Sequence, residues 1–192
     1  MIKVCDLCRV LANPLRLEIL ARIYCAPDGF NVGFLADEMQ KHKLGLSAVS
    51  QYLMQLERMG LIRRRREGRY VNYYPVSSGG PASIRGIFQQ IVKNLRSQKG
   101  RDYVRAFAVL KDPFRAKVVG LLSRERKLST EAICMRFDRK MQIWHLYRDL
   151  KCAIDAGLIR ADGNCSDANY FYIQPKSKIV QLLIDEIAKT VK

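Results

Sequence analysis

The stretch RRRREGRY, Arg63 to Tyr70, places five guanidinium groups within seven residues: Arg63, Arg64, Arg65, Arg66 and Arg69. A guanidinium stays charged at any ordinary pH and presents its N–H donors in a planar fork that fits phosphate or carboxylate. Its chemistry is anion recognition. Just upstream, Ser47, Ser50, Gln51 and Gln55 supply small or bidentate hydrogen-bonding groups of the kind that fit base edges. A third candidate is the pair Cys5-x-x-Cys8. One such pair is half of a zinc site and is weak alone. On a helix the two thiols share a face, where they act either as small apolar side chains in a helix interface or as a redox pair. His42 and His145 have no neighbour at metal or triad spacing, which leaves them solvent or phosphate contact. No G-x-S-x-G, P-loop, H-E-x-x-H or paired-carboxylate motif occurs, so the sequence points to no enzyme and no cofactor.

Bulk properties agree with anion recognition. Among 192 residues, 34 Lys and Arg stand against 18 Asp and Glu, a net charge of +16, and 48% of residues are hydrophobic. Such a chain can build a packed core, and its charge attracts polyanions, nucleic acid above all. No apolar run is long enough to span a bilayer, and the start MIKVCDLCRV lacks a signal-peptide core. A cytoplasmic protein without a membrane partner is expected. Six cysteines in such a chain are expected as thiols.

The elements that would hold these groups occur twice. VLANPLRLEILARIY (Val10 to Tyr24) matches VLKDPFRAKVVGLLS (Val109 to Ser123) at an offset of 99. GLIRRR at Gly60 matches GLIRAD at Gly157, and YVNYYP at Tyr70 matches ANYFYI at Ala168. The order of marks is kept, so a unit of about seventy residues is repeated. Fifteen basic and seven acidic residues fall in 1–98, nineteen and eleven in 99–192, so each half is equally cationic. The sequence divides into a first domain over 1–80, a connecting helix over 81–100 and a second, divergent domain with a terminal helix over 101–192.

Within the first unit, Pro14 suits a helix start. Leu15, Ile19, Leu20 and Ile23 form a stripe at helical spacing, and APDG ends that helix. Asn31 can cap a short helix holding Phe34, Leu35 and Met39. Ser47 caps a third helix with Val49, Leu53, Leu56 and Met59 inward and Ser50, Gln51, Met54, Gln55 and Arg58 away from that stripe. Gly60 ends it in the left-handed position glycine tolerates. A strand from Leu61, a turn at Glu67-Gly68 and a returning strand RYVNYYPV complete a hairpin. Three helices and a basic hairpin make a mainly α fold with small β-hairpin wings, a tandem winged helix-turn-helix.

LANPLRLEIL followed by LSAVSQYLMQLERMGLIRRRREGRYVNYYPV resembles the ArsR-type winged-helix transcriptional regulators over Val10 to Val76. The resemblance is weaker over Val109 to Pro175, and two units in one chain depart from the usual single unit. It implies a repressor that places the third helix and the wing of a two-fold dimer on double-stranded DNA. Here the two units would pair within one chain as a pseudo-dimer, or the chain would form a homodimer. The stripes of Ala82 to Gln98 and of the last segment (Ile179, Leu182, Leu183, Ile187), with the N-terminal IKVCDLCRVL, would form the shared layer. The cysteines and histidines with which the family senses metal have no match in VGFLADEMQ or beside Asp185 and Glu186. The expected DNA-binding residues are Ser47, Ser50, Gln51, Gln55, Arg63 to Arg66 and Arg69.

Aligning Gly60 with Gly157 sets Ser47 opposite Trp144, Ser50 opposite Tyr147 and Gln51 opposite Arg148. The second wing has lost its arginines and carries Asp162 and Asp167. The second unit is expected either to read a degenerate half-site through Lys140, Gln142, His145 and Arg148 or to complete the scaffold without touching DNA. Two other readings of the chain stay open: a protein-interaction scaffold, and an RNA or structure-selective binder stacking bases on Tyr70, Tyr73 and Tyr74.

Overall fold

A computed structural model describes residues 4–26, 28–76, 98–137, 143–163, 170–175, 180–181, 184–185 and 188, with the side chains of 98–100 and 143–144 excepted. The expected connecting helix to residue 97, Lys140, Gln142, the side chain of Trp144, Asp167, and Ile179, Leu182, Leu183 and Ile187 lie outside the described residues. Among the described residues the chain is mainly helical, with two small antiparallel sheets. It forms two compact units. One comprises Asn13–Arg101; the other joins Lys3–Ala12 to Asp102–Lys192.

The first unit opens with helix α2 (Pro14–Cys25), which follows helix α1 (Val4–Leu11) in the chain. The Asn13 side chain accepts from the backbone N–H of Leu15 and Arg16, and Pro14 occupies the first turn, where its missing donor costs nothing. Strand β1 (Phe30–Asn31) leads into α3 (Val32–Met39), capped by Asn31, whose Oδ1 accepts from Gly33 N at 2.7 Å. Helix α4 (Leu46–Arg58) begins two residues earlier than the sequence suggested. Gly45 is its N-cap, and Ser47 lies inside the first turn. Gly60, at φ +65°, turns the chain out of α4 as expected, and Gly157 does the same at φ +67° in the second unit. Strands β2 (Ile62–Glu67) and β3 (Tyr70–Pro75) form the hairpin, and β1 pairs with β3 to give the sheet order β1-β3-β2.

Leu17, Ile19, Leu20 and Ile23 of α2, Leu35 and Met39 of α3, and Val49, Leu53 and Leu56 of α4 are buried together with Ile62 and Tyr73. Phe34 is 71% exposed, while Leu35, Ala36 and Met39 fill the inner side of this eight-residue helix. Leu15 and Met59 are half-buried at the ends of their stripes.

Glu18 pins α3 and its following turn to α2. Its carboxylate meets Arg22 at 3.0 Å, Lys41 at 2.9 Å and His42 Nε2 at 2.8 Å, and Arg22 also meets Glu38. His42 therefore has a partner that its sequence neighbourhood did not reveal. Burial pushes the Glu18 carboxyl up, but hydrogen bonds from Lys41 and Arg22 and the charge of His42 outweigh it and lower it to about 2. A folded value below the unfolded one stabilises the fold above pH ~4.5, an effect lost as pH falls towards 2. Discounted for solvent screening, the contribution is about 1 kcal/mol. Denaturation of the wild type and Glu18→Gln at pH 6 and pH 2.5 should show a wild-type advantage at pH 6 that shrinks markedly at pH 2.5; equal pH sensitivity would exclude the cluster as its source.

The second unit contains α5 (Gln98–Leu110, from residue 102), α6 (Pro113–Glu125), β4 (Lys127–Ser129), α7 (Thr130–Arg136), α8 (Ile143–Asp155), β5 (Ile159–Ala161) and β6 (Tyr170–Ile173). Its sheet order is β4-β6-β5. Asp112 caps α6 by accepting from Arg115 N at 2.9 Å, with Pro113 in the first turn, so the repeat of Asn13-Pro14 is a repeat of a helix start. Phe107, Val119, Leu122, Ile133, Leu146, Leu150 and Phe171 are among its buried residues.

The grouping of α1 with this second unit departs from the expected division, which left residues 1–12 in the first domain. At the offset of 99, the buried residues Leu7, Cys8 and Leu11 correspond to Ala106, Phe107 and Leu110 of α5, also buried. Both copies of the leading helix of the repeat thus serve one compact unit.

Candidate nucleic-acid interface

The outward side of α4 is set by its inward one. With Val49, Leu53 and Leu56 at or near zero exposure, residues Ser47, Gln51, Met54 and Arg58 fall on the opposite stripe at spacings of four and three, and all four are exposed. Ser50 and Gln55 flank the stripe and are half-buried. Gln55 is not free to read a base edge: its Oε1 accepts from Arg16 Nη1. Arg16 also lies over the Tyr52 ring, 5.7 Å from its centroid. In the second unit Arg115 makes the corresponding tie, with Nη2 2.9 Å from Asp149 Oδ1. Asp149 matches Tyr52 at the offset of 97 that relates Gly60 to Gly157. The repeated arginine thus fastens α2 to α4 in the first unit and α6 to α8 in the second.

The hairpin divides the arginine run between its two faces, as strand geometry requires. Arg64 pairs across the strands with Tyr73 and Arg66 with Val71. They share a face with Ile62 and Tyr73, which are buried, so this is the face that continues from the body of the unit. Arg63 pairs with Tyr74 and Arg65 with Asn72 on the other face. All four arginines and Arg69 are exposed. Arg64 Nε stands 3.3 Å from Glu57 Oε1 near the end of α4, which brings the inner row beside the helix. Burial pushes the Tyr73 phenol up, Glu57 adds to the shift and Arg64 opposes it.

The outer face is partly neutralised by Glu67. Hydrogen bonds from Tyr74 Oη at 2.5 Å and Asn72 Nδ2 at 2.7 Å hold its carboxyl below the usual range, and Arg65 Nε lies 3.7 Å away. Gly68 and Arg69 form the two-residue turn, where Arg66 Nε donates to Gly68 O and the Arg69 guanidinium lies over the Tyr70 ring at 5.1 Å. Of the three tyrosines considered for base stacking, Tyr73 is buried, Tyr74 is held by Glu67 and Tyr70 is exposed.

In the second unit, His145 and Arg148 are exposed on α8, opposite buried Leu146, Leu150 and Ala153, and Lys151 extends their basic stripe. Asp162 is exposed, and its Oδ1 accepts from Tyr170 N at 3.1 Å. Lys151 escaped the sequence reading, although its place one turn after Arg148 was the available signal.

Cys8 is fully buried and Cys5 half-buried. Burial pushes both thiols above their ordinary range; neighbouring Asp6 and Asp112 add to the shift at Cys5, and Cys5 adds to that at Cys8. Scarce thiolate disfavours a redox switch and suits the role of small apolar side chains in a helix interface. No group of three or more His, Cys, Asp and Glu among the described residues is placed to hold a metal ion, and no described helix is long and apolar enough to cross a membrane. No family model, curated protein or solved structure matches this chain.

Proposed function

We propose that the chain is a sequence-specific double-stranded DNA-binding transcriptional regulator built from two winged helix-turn-helix units, a repressor by its resemblance to ArsR-type proteins. One observation carries this reading. The exposed stripe Ser47, Gln51, Met54 and Arg58 of α4 lies beside a cationic ribbon whose inner arginine, Arg64, reaches Glu57 of that helix. A polar helix of this width fits the major groove, while the adjacent arginines meet phosphates. The net charge of +16 supplies the long-range attraction. Gln51 is the principal base reader, Ser47 and Ser50 support it, and Gln55 positions the helix through Arg16. Arg63 to Arg66 and Arg69 meet the backbone, and His145, Arg148 and Lys151 form the weaker second reader.

Selection of bound fragments from sheared genomic DNA by the purified chain tests the proposal. Enrichment of an asymmetric duplex motif is expected, since two unequal readers face the two halves of the site. Recovery no different from input would overturn it. That outcome would favour an interaction scaffold, the reading for which the exposed Phe34, Leu46 and Met54 argue.

A further inference from the structure

The sheet of the second unit carries on its outer face a feature that neither α8 nor the first hairpin shares. Tyr170 and Tyr172 alternate with fully buried Phe171 on β6, so both point away from the core. Lys127 on β4 and Arg160 on β5 pair with Tyr172 from opposite sides. The Lys127 ammonium lies 3.9 Å from the Tyr170 ring centroid and 5.5 Å from that of Tyr172, and the Arg160 guanidinium lies 5.3 Å from Tyr172. Both cations are exposed, and among the described residues neither meets a carboxylate. The nearest acid in sequence, Asp162, is tied to the backbone of Tyr170. The matching face of the first unit also carries exposed Arg63 and Tyr70, but its Tyr74 is held by Glu67, which also meets Arg65, and Asn72 stands where the second unit has Tyr170, so it lacks two adjacent free rings flanked by cations.

We infer that this face, Lys127, Tyr170, Tyr172 and Arg160, binds single-stranded nucleic acid. Charge complementarity selects a polyanion, and the two outward rings select one with flat groups to stack. Bases in a duplex already stack on each other, so only an unpaired strand can use both tyrosines while its phosphates reach the flanking cations. The ammonium that covers Tyr170 is no obstacle. An exposed cation–π contact is weaker than a base stacked on tyrosine, and Lys127 has the flexible stem to swing from ring to phosphate. The row contains no amide or carboxylate to read base edges, so binding is expected to tolerate sequence. The inference stands on different residues from the duplex-binding proposal and does not depend on it.

Fluorescence anisotropy with labelled twelve-residue oligo-dT, with a duplex of equal length as comparison, tests this on the full chain. The double variant Tyr170→Leu/Tyr172→Leu keeps apolar bulk on the sheet and should weaken oligo-dT binding about tenfold or more, with the duplex unaffected. Lys127→Gln, which leaves both rings, should weaken oligo-dT binding less and flatten its salt dependence. Arg64→Ala/Arg66→Ala should leave oligo-dT binding intact. Unchanged oligo-dT affinity in the tyrosine variant would overturn the inference. So would competition by poly-glutamate as effective as competition by unlabelled oligo-dT, since that would reduce the face to an unselective cationic surface.

Discussion

Leu7→Ala should destabilise the unit formed by residues 102–192, although it lies almost a hundred residues away in sequence. Leu7 is 3% exposed and belongs with Cys8 and Leu11 to the helix that groups with that unit. Removing a buried leucine loses its transfer free energy and leaves a cavity, typically 2–5 kcal/mol. Hydrogen exchange monitored by fragment is the measurement that locates the loss. Protection should fall in α6 and α8, while the amides of α4 keep theirs. A loss confined to α2 and α4 would return α1 to the first unit, as the sequence division had it. Arg9→Ala on the same helix is the control: its exposed pair with Asp6 should contribute under ~1 kcal/mol.

That helix also marks where the sequence stopped being legible. Signals that act within one turn were readable. Pro14 in the first turn of α2, Asn31 before α3 and Gly60 after α4 each act on backbone groups a few residues away, and each took its expected place. The buried stripe of α4 was equally plain, because thirteen residues are long enough for the helical period to show. The partners missed are distant in sequence. Gln55 was expected on the reading face, but Arg16, 39 positions upstream, holds its carbonyl. His42 meets Glu18. The third strand of each sheet has only two or three residues, too few for alternation to register. For α1 the repeat itself misled: residues 10 and 109 match in sequence, and nothing in that match says that both leading helices serve one unit.

The arginine run yields the largest expected effect on binding, and strand alternation says which arginines carry it. Arg64 and Arg66 share the inner face of the ribbon, beside α4; Arg63 and Arg65 share the outer one, where Glu67 offsets Arg65. If the first unit neutralises about six phosphates, the logarithm of its affinity should fall with the logarithm of salt at a slope near −5. Arg64→Ala/Arg66→Ala should flatten that slope by about two units and lower affinity at ~0.15 M salt by about one to two orders of magnitude, with little change in sequence preference. Arg63→Ala/Arg65→Ala should do visibly less. The exposed Arg64–Glu57 pair does not offset this, since such a pair contributes under ~1 kcal/mol and Arg64 can exchange it for a phosphate. Gln51→Ala should behave in the opposite way, costing about 1–3 kcal/mol on the selected site and relaxing preference at one position, with the salt slope unchanged. Filter binding at four salt concentrations, on the selected site and on a scrambled one, separates the two. A slope indifferent to both inner arginines would take the ribbon out of the interface, and a Gln51 variant with unaltered preference would take α4 out of the groove.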